Sequence, residues 1–70
     1  MERIQIDTEF IRLDALLKLA GAVGTGGQAK LVIQDGQVLV NGETCTMRGK
    51  KLRVGDRVRF LGAVYEVTQG

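Results

Sequence analysis

The spacing of apolar residues changes at Gly36, and this change restricts the possible folds more than any other feature of the sequence. Between Arg12 and Gly36 apolar residues recur with the period of an α-helix, whereas after Gly36 they alternate with polar residues as in half-buried strands. A chain of 70 residues has room for one domain with one core. Helices and strands must bury that same core, which predicts a single α+β domain over residues 1–70.

The first predicted helix carries an apolar stripe at positions i, i+3, i+4 and i+7. The stripe consists of Leu13, Leu16, Leu17 and Ala20. Thr8 is the expected amino-terminal cap, and Gly21 can end the helix in the left-handed conformation. Asp14 stands four residues before Lys18, a spacing that adds a weak favourable pair on the exposed face.

The second predicted helix follows the segment GAVGTGG. Thr25 and Gln28 fit a capping box at its start, and Gly36 is its expected end. Its apolar face consists of Ala29, Val32 and Ile33, and Lys30 lies on the other face. Leu31 falls outside the apolar face and is expected to contact another segment.

Short strands are predicted on both sides of the helices. They are RIQID (3–7), QVLV (37–40), RVRF (57–60) and AVYEVT (63–68), with Asn41-Gly42 as a hairpin turn and Gly55-Asp56 as a further turn. Ile4 and Ile6 are expected to pair with Val64 and Val67. The fold class predicted is α+β, with two N-terminal helices packed on a small, mostly antiparallel β-sheet.

The chain has few of the side chains that commonly carry out enzyme catalysis. It has no histidine and no serine, so the commonest general base and its usual nucleophile partner are missing. Cys45, the only cysteine, is expected to be a small core residue, with a reactive thiol as the less favoured alternative. The acidic residues are scattered, without a catalytic pair or a metal-ligand spacing. The sequence therefore predicts no catalytic residues, no metal, no cofactor and no small-molecule substrate.

The glycine-rich segment GAVGTGG (21–27) admits two interpretations. A nucleotide-binding fingerprint requires a preceding strand, and a P-loop requires Gly-Lys-Ser/Thr, so a tight turn between two helices is favoured. A weaker functional interpretation remains open. Gly26 and Gly27 leave the first amides of the second helix uncovered, where they could hold a phosphate oxygen.

Positive charge is concentrated in one stretch of the chain. Residues 44–59 contain six of the ten Lys and Arg residues but one of the eight acids, a net charge of +5 that leaves −3 for the rest. Four of these charges lie on a predicted loop: Arg48, Lys50, Lys51 and Arg53. Lys30 and Arg12 lie on helical surfaces that could adjoin the loop. Charge gathered from separate segments favours a polyanion partner over an ordinary solvated face.

The aromatic residues refine this prediction. Phe10 and Phe60 are expected in the core, which leaves Tyr65 as the one candidate for stacking on bases. The pattern therefore favours contacts to backbone phosphates of a structured nucleic acid, recognised largely by its shape. No apolar run approaches the length of a membrane span, and no signal peptide is recognisable, so no membrane contact and a cytoplasmic location are expected.

Three blocks of the sequence resemble the S4 RNA-binding domain: RLDALLKLAG (12–21), QAKLVIQDGQVLVNG (28–42) and LRVGD (52–56). Four blocks resemble in particular the small stand-alone bacterial proteins of this family: TEFIRLDALLKLAG (8–21), TGGQAK (25–30), VNGE (40–43) and RGKKLRVGD (48–56). The resemblance covers roughly residues 12–60. It implies the αL motif, in which two helices pack on a short β structure, and an RNA surface formed by the second helix and the basic loop.

Site residues are carried over from this resemblance position by position. Arg12 matches the arginine that opens the first helix, and Lys30 matches a basic position on the second. Cys45 and Met47 fall where the family has buried aliphatic residues. Gly26 stands where many members have an RNA-contacting arginine, so the cations of the basic loop are expected to supply more of the RNA contacts. The predicted RNA-binding residues are Arg12, Thr25, Gly27, Gln28, Lys30, Arg48, Lys50, Lys51 and Arg53.

The function predicted is non-catalytic binding of structured RNA. The expected partner is ribosomal RNA, the ribosome or one of its assembly intermediates, as the resemblance to the family implies. An alternative of a different class stays open, in which the same basic patch docks an acidic protein partner.

Overall fold

A computed structural model describes all 70 residues. Two helices and seven strands occur in the order β1 (Glu2–Ile6), β2 (Ile11–Arg12), α1 (Leu13–Leu19), α2 (Gly26–Gln34), β3 (Val38–Val40), β4 (Glu43–Thr44), β5 (Lys51–Leu52), β6 (Arg57–Phe60) and β7 (Ala63–Gln69). The predicted α+β class is confirmed. The helices are not N-terminal, however, because β1 and β2 precede them.

The strands form a five-stranded sheet in the order β1-β7-β6-β3-β4 and a separate pair of β2 with β5. Every pairing is antiparallel except that of β1 with β7, which is parallel. Ile4 lies opposite Val67, as predicted. Ile6 instead lies opposite Gln69, and Val64 lies opposite Arg59 on β6. The two ends of the chain therefore pair as predicted, but the parallel direction and the register of this pair were not predicted.

The core lies between the two helices and one face of the five-stranded sheet. All fifteen buried residues are apolar: Ile4, Ile6, Leu13, Leu16, Leu17, Val23, Ala29, Ile33, Val38, Val40, Leu52, Val58, Phe60, Tyr65 and Val67. They form one cluster, as expected for a chain of this length. Successive strand residues point to opposite sides, so the residues between the buried ones form a second, outer sheet face that no helix covers.

The second helix begins and ends where its sequence predicts. The Thr25 hydroxyl accepts a hydrogen bond from the Gln28 amide at 3.1 Å, and the Gln28 side-chain oxygen accepts one from the Gly24 amide at 2.8 Å. Gly36 has a φ of +79°, the left-handed conformation that ends the helix. Neither helix is long and apolar enough to cross a membrane.

Two local predictions about the helices are wrong. Thr8 does not cap α1, which starts five residues later at Leu13; its hydroxyl donates to the carbonyl oxygen of Phe10 instead, at 2.9 Å. Leu31 does not pack against another segment, because 69% of its surface is exposed. Both errors concern side chains whose partners are decided by neighbouring segments rather than by helical spacing.

Asn41-Gly42 forms the predicted hairpin turn between β3 and β4. Both residues have positive φ, 51° and 86°, as a two-residue turn of this kind requires. The Asn41 side chain also accepts a hydrogen bond from the Arg57 amide at 2.9 Å and donates one to Asp56 at 3.1 Å. The turn is thereby fastened to the start of β6.

Candidate nucleic-acid interface

Residues 48–53, called the basic loop here, are held in place by one apolar side chain. Leu52 is fully buried in the core, whereas Arg48, Lys50, Lys51 and Arg53 around it are exposed. The Lys50 amide donates to the Met47 carbonyl at 3.1 Å, which closes a tight turn before β5. Leu52 is thus the one apolar anchor of a segment whose other long side chains all carry positive charge.

The basic loop docks against the first turn of α1. The amides of Leu13 and Asp14 donate to the carbonyl oxygens of Lys50 and Arg48, at 2.9 and 3.1 Å. The first amides of a helix have no partner inside it and need an outside acceptor. The loop supplies these acceptors, which explains why α1 has no side-chain cap and why Thr8 is free to bond elsewhere.

Arg12 joins the loop through the pairing of β2 with β5. It lies opposite Lys51, and its guanidinium pairs with Asp14 at 3.2 Å. A side chain at Gly49 would begin 3.6 Å from this guanidinium, so Arg12 also lies beside the turn. The structure therefore brings together five of the predicted residues: Arg12, Arg48, Lys50, Lys51 and Arg53.

Little negative charge compensates this cluster. Arg48, Lys50 and Lys51 have no carboxylate within 4.0 Å, and Arg53 has one at 3.7 Å, from an almost fully exposed Glu9. Exposed ion pairs of this kind contribute little and are weakened by salt. The basic loop and Arg12 consequently present a surface of net positive charge to solvent.

Phe10 adds an aromatic ring to this surface, contrary to prediction. The ring is half-buried, with the Lys51 Nζ 4.9 Å from its centroid and the Arg53 Cζ 5.9 Å from it. Tyr65, predicted as the stacking platform, is buried in the core with 6% of its surface exposed. The signal for Phe10 was its alternation with Ile11 and Leu13, which places Phe10 and Arg12 on the outward side of that segment.

The predicted residues of α2 form a separate group. Thr25, Gly27, Gln28 and Lys30 are all exposed, and no hydrogen bond or ion pair links them to the basic loop. The amides of Gly26 and Gly27 donate to no acceptor in the protein. Whether α2 and the basic loop act on one ligand therefore remains a prediction.

The residues before the loop divide between core and surface. Cys45 is partly buried and packs against the core, as predicted, with its Sγ 3.7 Å from the Met47 carbonyl oxygen. Met47 was expected to be buried, but 66% of its surface is exposed. No group of three His, Cys, Asp or Glu side chains is arranged to hold a metal ion.

The architecture defines a small α+β domain in which the start of the first helix rests on an exposed basic loop. The family model described as "S4 domain" matches residues 4–68, and the chain belongs to this family. The resemblance inferred from the sequence is thereby confirmed, over more of the chain than the predicted residues 12–60.

Two bacterial relatives are similar to nearly the whole chain. "Probable ribosome maturation protein RlbA" of Bacillus subtilis (strain 168) is 49% identical over 59 residues, which cover 84% of this chain and 83% of the relative. "Putative RNA-binding protein YbcJ" of Escherichia coli (strain K12) is 40% identical over 57 residues, 81% of each chain. Both relatives thus match this chain at the scale of the entire domain.

Proposed function

We propose that this protein is a non-catalytic RNA-binding protein that recognises structured RNA, either ribosomal RNA or a ribosome assembly intermediate. The observation that carries the proposal is the convergence of five cations and one aromatic ring at the first turn of α1. Membership of the S4 domain family and the names of the two relatives support the same function and point away from an enzyme.

The chemistry of the surface suits phosphates. Arg48, Lys50 and Lys51 are exposed and without carboxylate partners, so binding an anion breaks no ion pair within the protein. Each phosphate contact releases condensed counterions, which makes the affinity fall as salt rises. The shortage of exposed aromatic rings favours recognition of an RNA shape over stacking along a single strand.

The residues of α2 are proposed to extend this surface. Lys30 supplies one further phosphate contact. The amides of Gly26 and Gly27 have no acceptor in the protein and lie at the positive end of the α2 dipole, beside Thr25 and Gln28. In this arrangement a duplex backbone runs from the basic loop toward the start of α2. Arg12 contributes by orienting the turn, because its own charge is shared with Asp14.

Replacement of Lys50 and Lys51 by Glu tests the proposal. If Arg48, Lys50, Lys51, Arg53 and Lys30 supply the contacts, log K against log salt has a slope of about −3 to −5 for the unaltered protein. The double variant should bind structured RNA very weakly and with a flatter slope. Both side chains are exposed, so each change should alter the free energy of unfolding by no more than about 0.5 kcal/mol.

The single variant Lys51→Glu should also weaken RNA binding, and Lys18→Glu is its matched control. It changes the net charge equally but lies in the last turn of α1, at the other end of the helix from the basic loop. It should retain most of the affinity. A double variant that binds RNA as tightly as the unaltered protein, with the same salt slope, would refute the proposed site and favour an acidic protein partner for it.

A further inference from the structure

Two arginines of the basic stretch lie away from the basic loop. Arg57 and Arg59 alternate along β6 with the buried Val58 and Phe60, so they point from the outer sheet face, opposite the helices. The basic loop instead contacts α1, on the helix side of the sheet. The tertiary structure thus divides one continuous run of positive charge between two sides of the molecule.

The neighbours of these arginines make the outer sheet face positive. Arg57 lies opposite Glu66, which in turn lies opposite Arg3 on β1. Glu2 also lines this face beside Arg57 and Arg59, so three arginines share it with two carboxylates. The Arg57–Glu66 ion pair is long, 3.7 Å, and 60% of the Arg57 side chain is exposed. Arg3 and Arg59 have no carboxylate within 4.0 Å.

Apolar side chains support the arginine stems. Arg59 lies between Leu39 on β3 and Val64 on β7, its direct cross-strand neighbours. Arg57 and Arg59 line two open hollows on this face, of about 550 and 460 Å³. An aliphatic stem beside Leu39 and Val64 leaves the guanidinium group of Arg59, which has no carboxylate within 4.0 Å, available to a ligand. Guanidinium groups so placed can each form two parallel hydrogen bonds with a phosphate.

We propose that the outer sheet face is a second phosphate-binding surface, which lets the protein hold two RNA segments at once. The second surface rests on the proposed function, because one of the two RNA segments is the one bound at the basic loop. The face offers no exposed aromatic ring, so its contacts are to phosphates rather than to stacked bases. The partner is therefore a compact, folded RNA that brings two backbone segments to two surfaces of a domain whose principal-axis extents are 30, 22 and 18 Å.

A bridging assay separates the two surfaces. Two perfectly paired RNA hairpins, each with a different fluorophore, are mixed with the protein at low ionic strength, where phosphate contacts are strong for any sequence. The unaltered protein should bring the hairpins together and produce energy transfer between the fluorophores. Light scattering on the same sample shows whether one protein molecule bridges them.

The matched variants are Arg57→Gln with Arg59→Gln, and Lys50→Gln with Lys51→Gln, which remove equal charge from each surface. The first pair should bind one hairpin within about twofold of the unaltered protein but reduce energy transfer at least about tenfold. The second pair should lose most of the affinity for the first hairpin. Arg59→Gln alone, which breaks no ion pair, should reduce energy transfer in the same direction and guards against a folding defect of the double variant.

Each outcome decides between the claims. If the protein binds one hairpin but never brings two together, or if energy transfer survives both arginine substitutions, the second surface is refuted and the proposed function stands. Energy transfer would survive both arginine substitutions if a protein dimer brought the two hairpins together through its two basic loops. If the unaltered protein binds no hairpin at any salt concentration, the proposed function fails and the second surface with it.

Discussion

The basic loop and the outer sheet face come from one stretch of sequence but are held in different ways. The loop is held by one buried side chain, Leu52, by the pairing of the two-residue β5 with β2, and by two backbone hydrogen bonds to α1. Arg57 and Arg59 lie on β6, which is paired with β3 on one side and β7 on the other. The positive charge thus lies partly on a short segment paired on one side and partly on a strand paired on both sides, and the first is expected to open at a lower free-energy cost.

This difference suits different tasks. The loop has more freedom to adjust its exposed lysine side chains to an irregular RNA backbone, because β5 is two residues long and is paired on one side only. On β6 the Cα atoms of Arg57 and Arg59 are held about 7 Å apart by the strand itself, so that face fits a backbone of matching spacing. The adaptable surface is therefore the one expected to dominate affinity, and the rigid surface the one expected to select geometry.

Leu52→Ala should produce the largest effect, because it removes the anchor of the loop. Truncating a fully buried Leu lowers the free energy of unfolding by about 2–5 kcal/mol, measured by urea denaturation. Hydrogen exchange at the Leu13 and Asp14 amides should accelerate. The control is Val54→Ala on the neighbouring turn, half-exposed at 51%, which should cost no more than about 0.5 kcal/mol. A loss below about 1 kcal/mol for Leu52→Ala would mean that the loop has another anchor.

Gly27→Asp should produce a smaller effect, on affinity alone. A Cβ at Gly27 has room, with the Thr25 hydroxyl 3.9 Å away, and a carboxylate is favourable near a helix amino terminus. Stability should hold while RNA affinity falls about five- to tenfold at low salt, since the carboxylate repels the expected phosphate. Titration of labelled RNA measures the affinity, and thermal denaturation measures the stability.

Gly27→Asn is the uncharged control for this variant and should retain most of the affinity. Combining Gly27→Asp with Lys50→Gln and Lys51→Gln tests whether α2 and the basic loop share one RNA segment. A smaller effect of Gly27→Asp in that background supports a shared segment. If Gly27→Asp destabilises the fold instead, Gly27 serves helix packing and the phosphate interpretation of the α2 terminus is lost.

Phe10→Leu should produce the smallest effect and concerns only the loop surface. It removes the ring that Lys51 and Arg53 face but keeps an apolar side chain. An exposed cation–π contact contributes about 0.5–1 kcal/mol, so RNA affinity should fall about two- to fivefold. Phe10→Tyr retains the ring and should bind like the unaltered protein. Equal losses for the two variants would show that the ring does not order these cations.

Several features of the fold could be predicted because their causes are local. The caps of α2, the end of that helix at Gly36 and the hairpin at Asn41-Gly42 depend on residues close together in sequence. The same holds for the buried faces of α1 and β6, which follow from apolar spacing. The predicted loop cations are exposed for a related reason, since Lys and Arg are seldom buried without a partner.

The errors share the opposite property. Tyr65 was assigned to the surface and Phe10 to the core, but an apolar ring is buried only where other segments cover it. Thr8 was predicted to cap α1, but the helix starts five residues later. The first amides of α1 instead donate to carbonyl oxygens of the basic loop, which is distant in sequence. The functional prediction did not include Phe10, Arg57 and Arg59. The sequence shows their charge or aromatic ring, but it does not show which other residues share a surface with them.

By itself the sequence determined the α+β class, the ends of α2, the hairpin and the concentration of positive charge in residues 44–59. These depend on side-chain period, turn geometry and composition, which act over a few residues. Only the tertiary structure decided that β1 and β7 pair in parallel, that the basic loop caps α1, and that the charge divides between two sides. Each of these depends on contacts between segments that are distant in sequence, and the pattern within a short stretch does not specify which distant segments meet.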